Sequence, residues 1–243
     1  MIQRRPFDQL GETKNSWLHA RHHFSFGRYT DPTRHHWGAL RVWNDDIIQP
    51  HQGFTPHPHD NMEIITYVQK GAISHRDSLG NQGRTAAGDV QVMSAGSGII
   101  HSEYNHENEA TQLFQIWILP DTLNQPPSWG TRRFPKHERT GQFTVLASGY
   151  DTDTNALPIR SPSRVLGATL SAEQRIAYHF DHPERHGYLV LAAGRITLNG
   201  IPLHPRDGAA ITDETTIQIQ ALTPAEIVLV DTPALVHHTP PLT

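Results

Sequence analysis

Cysteine is absent from this 243-residue chain, which excludes disulfides, thiolate metal sites and cysteine nucleophiles. Long apolar runs are missing as well. The longest, at residues 189–193 and 227–230, fall far short of the ~20 residues a membrane-spanning helix needs. There is no basic excess: 20 Lys+Arg stand against 24 Asp+Glu, a formal charge of −4, and aromatics make up only 8%. A nucleic-acid surface, which requires a basic face, is therefore not expected. The opening Met-Ile-Gln-Arg-Arg-Pro-Phe-Asp has no apolar segment of the kind found in secretory signals. A soluble cytoplasmic protein with no membrane contact is the expectation. Helical periodicity is lacking too, since apolar residues nowhere keep a 3.6-residue spacing for three turns.

Glycine and proline, 18 of each, separate short, β-branched, alternating segments. Residues 40–43, 63–68, 90–93, 113–119, 143–147, 195–198, 216–220 and 227–230 have that character. Many short strands between turn signals indicate an all-β sandwich or barrel fold with few short helices. The rhythm breaks over residues 120–141, where Pro120, Pro126, Pro127 and Pro135 gather with Arg132, Arg133, Lys136 and Arg139. That basic cluster reads as a solvated linker before it reads as a site for an anionic partner. The expected division is a first domain over residues 1–120, a linker over 121–140 and a second domain over 141–243. The halves echo each other. Lys70-Gly71-Ala72-Ile73 with Ala87-Gly88-Asp89 resembles Ala193-Gly194-Arg195-Ile196 with Arg206-Asp207-Gly208, a hint of duplication.

Histidine is what the chain has in excess, 18 residues of 243, and imidazole is the commonest protein metal ligand. At that density about one His-x-His pair arises by chance, so context has to decide. His57-Pro58-His59 follows Gly53, and residues i and i+2 of a strand share a face. Glu63 has the same parity if the strand continues without a bulge. Downstream of Gly88-Asp89 and Gly96, His101 and Glu103 repeat the i, i+2 spacing. Two strands that each send a pair inward supply four donors to one cation. Three neutral imidazoles and a carboxylate suit Fe, Mn, Co, Ni, Cu or Zn, and suit the oxygen-seeking Mg and Ca poorly. Taken alone, His57 and His59 read equally well as surface histidines. The adjacent pairs His22/His23, His35/His36 and His237/His238 are not read as sites, because neighbours in a strand face opposite sides.

The frame Gly53…His57-x-His59…Glu63…Gly71, then Gly88-Asp89…Gly96…His101…Asn105, resembles the two motifs of the cupin superfamily. Phe24-Ser25-Phe26-Gly27, Arg76-Asp77-Ser78-Leu79-Gly80-Asn81, Met93-Ser94-Ala95-Gly96 and Gln115-Ile116-Trp117-Ile118-Leu119-Pro120 resemble the pirin family in particular. The resemblance covers residues 16–120 and is weaker beyond. It implies a bicupin, two facing jelly-roll β-barrels, with one divalent transition metal, iron first among the candidates, in the N-terminal barrel. Carried over by position, the ligands are His57, His59, His101 and Glu103. Glu63 stands where many cupins keep their ligand glutamate and is an outside candidate, more a neighbour of the ligands than one of them. The C-terminal barrel is expected to be degenerate. With Gly194 set against Gly71, His182 falls at the position of His59, but Phe180 falls at that of His57 and His186 at that of Glu63.

The same resemblance implies a dioxygenase that cleaves flavonols such as quercetin at the 2,3-bond with release of carbon monoxide. The substrate's 3-hydroxyl and 4-carbonyl would chelate the metal. Glu103 would take the hydroxyl proton as general base, making it the catalytic residue as well as a ligand. The implied partners are a small aromatic flavonol and dioxygen. Two other readings stay open: a metal-bearing regulatory protein that acts through a protein partner, and a cupin enzyme for another aromatic substrate. Phe54, Met62, Ile65 and Ile116 suit either a flat substrate or a barrel core.

Overall fold

Each of the eight segments read as strands from their alternation is a strand in the computed structural model, which describes residues 1–235. His237 and His238 lie outside the described residues. Among the described residues, helix is confined to two single 3-10 turns, Phe7–Gln9 and Lys136–Arg139. None of the described helices is long and apolar enough to cross a membrane.

The strands form two β-barrels, each made of a seven-stranded and a four-stranded sheet. The larger sheet of the first barrel runs, in spatial order, Ser128–Arg132, Val90–Ser94, Glu63–Lys70, Thr111–Ile118, Leu40–Ile48, Leu18–His22, Gly11–Lys14. Its smaller sheet runs Gly53–His59, Ile99–Tyr104, Ala72–Asp77, Gln82–Ala86. In the second barrel the larger sheet runs Ile2–Arg5, Gly208–Ile211, His186–Ala193, Ala225–Thr232, Arg164–Leu170, Thr144–Ser148, Leu157–Pro158. Gly71 and Gly194, the paired turn glycines of the two halves, both adopt a left-handed backbone, with φ of 76° and 86°. A β-carbon is disfavoured there.

Side-chain alternation divides each central strand between two interiors. On Thr111–Ile118, Phe114, Ile116 and Ile118 join a core that also holds Trp43, Tyr67, Tyr188, Val228 and Val230, so this core is shared by the two large sheets. Leu113 faces the other way, into the first barrel, with Leu18, Ile48, Val68 and Ile73. The second barrel follows the same rule. On Ala225–Thr232, Val228 and Val230 enter the shared core, while Ile227 and Leu229 enter an interior of Leu, Ile, Ala and Phe.

Strand pairing crosses the division expected from the sequence at both ends. Ser128–Arg132, inside the proline-rich stretch, pairs antiparallel with Val90–Ser94 and extends the first barrel. Ile2–Arg5 pairs with Gly208–Ile211 and extends the second. Pro120, Pro126 and Pro127 precede the first of these strands and Pro135 follows it, so no proline interrupts its ladder. Of the basic cluster, Arg132 and Arg133 stay exposed while Lys136 and Arg139 are drawn into the fold. Arg139 is 1% exposed and donates to the Tyr67 hydroxyl, and Lys136 Nζ meets Glu226 Oε2 at 2.7 Å, with Arg139 on the same carboxylate at 3.7 Å.

Because Phe114 lies at the centre of the core common to both sheets, against Trp43 and Tyr67, Phe114→Ala should cost about 3–5 kcal/mol. Urea unfolding is expected to show the loss in one transition covering both barrels; two separate transitions would contradict the shared core.

Candidate metal centre and its cavity

The strand Ile99–Tyr104 lies between Gly53–His59 and Ala72–Asp77. His101 is paired across the ladder with His57 on one side and with Asp77 on the other, and Glu103 with His75. Three neighbouring strands thus each offer an inward i, i+2 pair: His57/His59, His101/Glu103 and His75/Asp77. A register shift between His101 and Glu103 lets the chain meet Gly53 closely. A β-carbon on Gly53 would stand 2.2 Å from the carbonyl oxygen of Glu103, so only glycine fits.

One ring nitrogen each from His57, His59 and His101 lie within 4.8 Å of one another. His101 Nε2 faces His57 Nε2 at 3.0 Å. That spacing fits two imidazoles sharing one ion at right angles, with metal–nitrogen bonds of about 2.1 Å. Burial, followed by the neighbouring imidazoles, depresses the His101 ring to about 2. Burial, with His57 beside it, depresses His59 to about 4. Both rings are neutral at pH 7 and present lone pairs, as a divalent ion requires. The donors and the electrostatics fit a transition metal.

Glu103 is 3% exposed and joins His101 and His75 in a second trio at the same spacing; among the described residues no group of four forms. Its Oε1 accepts from Gln91 Nε2 at 2.6 Å and from Thr66 Oγ1 at 3.2 Å. Its Oε2 accepts from Gln115 Nε2 at 2.6 Å. Burial raises its pKa, while His75 and the hydrogen bonds from Gln115 and Thr66 pull the other way. Thr66, Gln91 and Gln115 sit side by side on three paired strands of the facing sheet, so one row of that sheet grips both carboxylate oxygens.

Glu63 is not part of this centre. Asn61 turns left-handed with φ of 44° and the strand stops at His59, resuming at Glu63. The parity assumed across residues 59–63 is therefore lost. Glu63 lies on the opposite face of its strand from Ile64 and Thr66, where it accepts from Ser94 Oγ at 2.6 Å.

Sequence reasoning missed His75. Its Nδ1 lies 3.4 Å from His101 Nδ1, and its Nε2 lies 3.1 Å from Asp77 Oδ2. Were His101 to hold a metal through Nε2, its Nδ1–H would be left to donate to His75, whose other nitrogen would then donate to Asp77. The signal was present in His75-Arg76-Asp77, a third i, i+2 pair. Gln91, Thr66 and Gln115 also carried one, as single polar residues inside apolar strands.

A cavity of about 980 Å³ opens over the three histidines and Glu103, walled by Trp17, Phe26, Phe54 and Trp117 and, on its polar side, by His22, Asn44 and Asp46. Of the four apolar residues singled out from the sequence, Phe54 lines it. Ile65 and Ile116 lie in the shared core and Met62 packs on Ile64 and Met93. His22 faces this cavity, whereas His23 faces the second barrel and contacts the Tyr188 hydroxyl at 2.9 Å.

Residues 3–118 match the Pirin family model, and residues 145–232 match that of the quercetinase C-terminal cupin domain. A pirin-like protein of Caulobacter vibrioides is 60% identical over 231 residues, 95% of this chain and 99% of that protein. The chain belongs to the pirin family. It is also 40% identical to a quercetin 2,3-dioxygenase of Escherichia coli, over 96% of this chain and 99% of that one. The crystal structure of the Escherichia coli bacterial pirin YhhW in complex with nickel(II) superposes with a TM-score of 0.91 at 37% identity, covering 97% of this chain and all of that one. As a pirin, the chain is a bicupin with unequal barrels. Both metal-capable groups among the described residues lie in the first. In the second, His182 is exposed, His186 packs on Trp37, and the interior is apolar.

Removing the neighbour of a metal-ligating imidazole typically weakens affinity by about 10–100-fold. His75→Ala should do so in a competition titration with a chelator, while Glu63→Gln should bind metal like the parent; a loss in Glu63→Gln would restore it as a ligand. The metal-free protein should also lose stability as pH falls below the free-histidine value of 6.5 through about 4. Over that range the unfolded chain binds protons that folded His59 and His101 refuse. Thermal melts across pH 7 to 4 should show a shallower decline in His101→Gln than in the parent.

Proposed function

We propose that this chain is a metal-dependent dioxygenase that cleaves flavonols such as quercetin, consuming one dioxygen and releasing carbon monoxide and a depside. The observation that carries this reading is the coincidence of three imidazoles, a buried carboxylate and aromatic walls in one cavity. The similarity to a quercetin 2,3-dioxygenase along nearly the whole chain supports it. His57, His59 and His101 would hold the ion, with Glu103 beside them as fourth ligand or base. A divalent cation bound there, iron or another of the first row, supplies the Lewis acidity that lowers the pKa of a chelated hydroxyl.

The chain's own groups do the rest. Trp17, Phe54 and Trp117 clamp a flat ring system with its 3-hydroxyl and 4-carbonyl toward the histidines. Glu103 takes the 3-hydroxyl proton onto a carboxylate oxygen. Gln91, Thr66 and Gln115 keep that carboxyl from rotating away. Burial, which raises the pKa of Glu103, favours keeping a proton once the carboxylate has taken it. His75 and Asp77 fix the His101 ring from behind. The surrounding apolar walls exclude water while the flavonolate anion reacts with dioxygen.

Oxygen uptake with quercetin, on protein of known metal content, tests this. Uptake should scale with occupancy, match the quercetin consumed one for one, and vanish in His101→Ala. Glu103→Gln should lower kcat by about 100-fold or more at retained metal content, in line with the loss of a general base. Full metal occupancy without uptake would sink the flavonol reading.

A further inference from the structure

Two adjacent acids on Leu40–Ile48 have opposite fates. Asp45 faces the second barrel, where Arg206 Nε donates to it at 2.6 Å and Gln112 Nε2 at 3.3 Å. Asp46 turns the other way, into the first barrel, where Leu113 and Ala20 are its ladder neighbours. It is 2% exposed, and its Oδ1 is enclosed with no hydrogen-bond partner. Among the described residues no ion pair or hydrogen bond reaches its side chain. Burial, reinforced by the Asp45 and Glu103 charges, pushes its carboxyl well above the usual carboxylate range. Asp46 is therefore an enclosed acid whose carboxyl finds no polar group of the described chain to pair with.

An acid enclosed without a partner destabilises the fold. The destabilisation is unrelieved inside the chain, and Asp46 lines the same cavity as His57, His59, His101 and Glu103. Nearby polar groups do not need it: Asn44 Oδ1 is taken by His22 Nδ1 at 2.8 Å, and His22 Nε2 meets Thr13 Oγ1 at 2.9 Å. We propose that Asp46 is a specificity-determining residue that hydrogen-bonds a phenolic hydroxyl of the bound aromatic ligand, one distinct from its chelating oxygens. This deepens the flavonol reading and rests on it. A buried polar group of this kind discriminates strongly against an analogue lacking the hydroxyl, because that analogue leaves the group unpaired.

The test uses the metal-loaded protein under nitrogen, so that no turnover occurs. Trp17 and Trp117 line the cavity, and quenching of tryptophan fluorescence reports binding. The probes are 3-hydroxyflavone, which has the chelating pair alone, and quercetin, which adds ring hydroxyls. The parent should prefer quercetin by about tenfold or more. Asp46→Leu should erase most of that preference by weakening quercetin while leaving 3-hydroxyflavone unchanged, and the variant should melt above the parent because an unpaired buried acid is gone. An unchanged preference in Asp46→Leu, with both flavonols bound, overturns the role of Asp46 and leaves the flavonol reading standing. A variant that melts below the parent or fails to fold overturns it as well, by showing that Asp46 has a partner within the chain. Binding of neither flavonol by the parent overturns both readings.

Discussion

A strand covered on both sides must send successive side chains into two different interiors, and the central strands of both large sheets live under that constraint. On Thr111–Ile118 it assigns Phe114 and Ile116 to the core between the barrels and Leu113 and Gln115 to the first barrel. On Ala225–Thr232 it assigns Val228 and Val230 to the common core and Ile227 and Leu229 to the second barrel. A slip of one residue in any of these ladders would exchange the two sets. It would put Gln115 among aromatic rings and Phe114 beside Glu103. The position of the site and the union of the barrels are therefore held by the same register.

Within the first barrel, that register aligns Gln91, Thr66, Gln115 and Asn44 along one row of four paired strands. Three of these side chains meet Glu103 from across the barrel. A carboxylate this deep would be intolerable alone, and the amide and hydroxyl donors make it tenable. His59 and His101 face it from the smaller sheet in neutral form, since burial and the neighbouring imidazoles disfavour charge on them. The result is a set of lone pairs beside a restrained carboxyl group, facing a cavity with aromatic walls.

The second barrel has the same strand plan and a different interior. Where the first has Thr66, Gln91 and Gln115 pointing inward, the second points aliphatic side chains. It supplies half of the shared core, and its Glu226 anchors Lys136 and Arg139 from the connecting stretch. Each barrel also borrows an edge strand from outside its expected limits, Ser128–Arg132 in one case and Ile2–Arg5 in the other. These added strands cover ladder edges that would otherwise stand open.

Much of this was legible from residue order alone. Alternation within short segments is a local property, so the strands could be read directly, and so could the shared faces of His57 with His59 and of His101 with Glu103. Parity failed where the backbone departed from extended form, as at Asn61, so the condition for Glu63 to share the face of His57 and His59 is not met. His75 and the Thr66, Gln91 and Gln115 row were hidden, because which strands lie side by side depends on contacts distant in sequence. Asp45 and Asp46 show the boundary most plainly. Their order along the strand determined that they face opposite ways. Only the tertiary structure decided that one meets Arg206 while the other is left unpaired against a cavity, because a partner 161 residues away is brought close by folding and by nothing local.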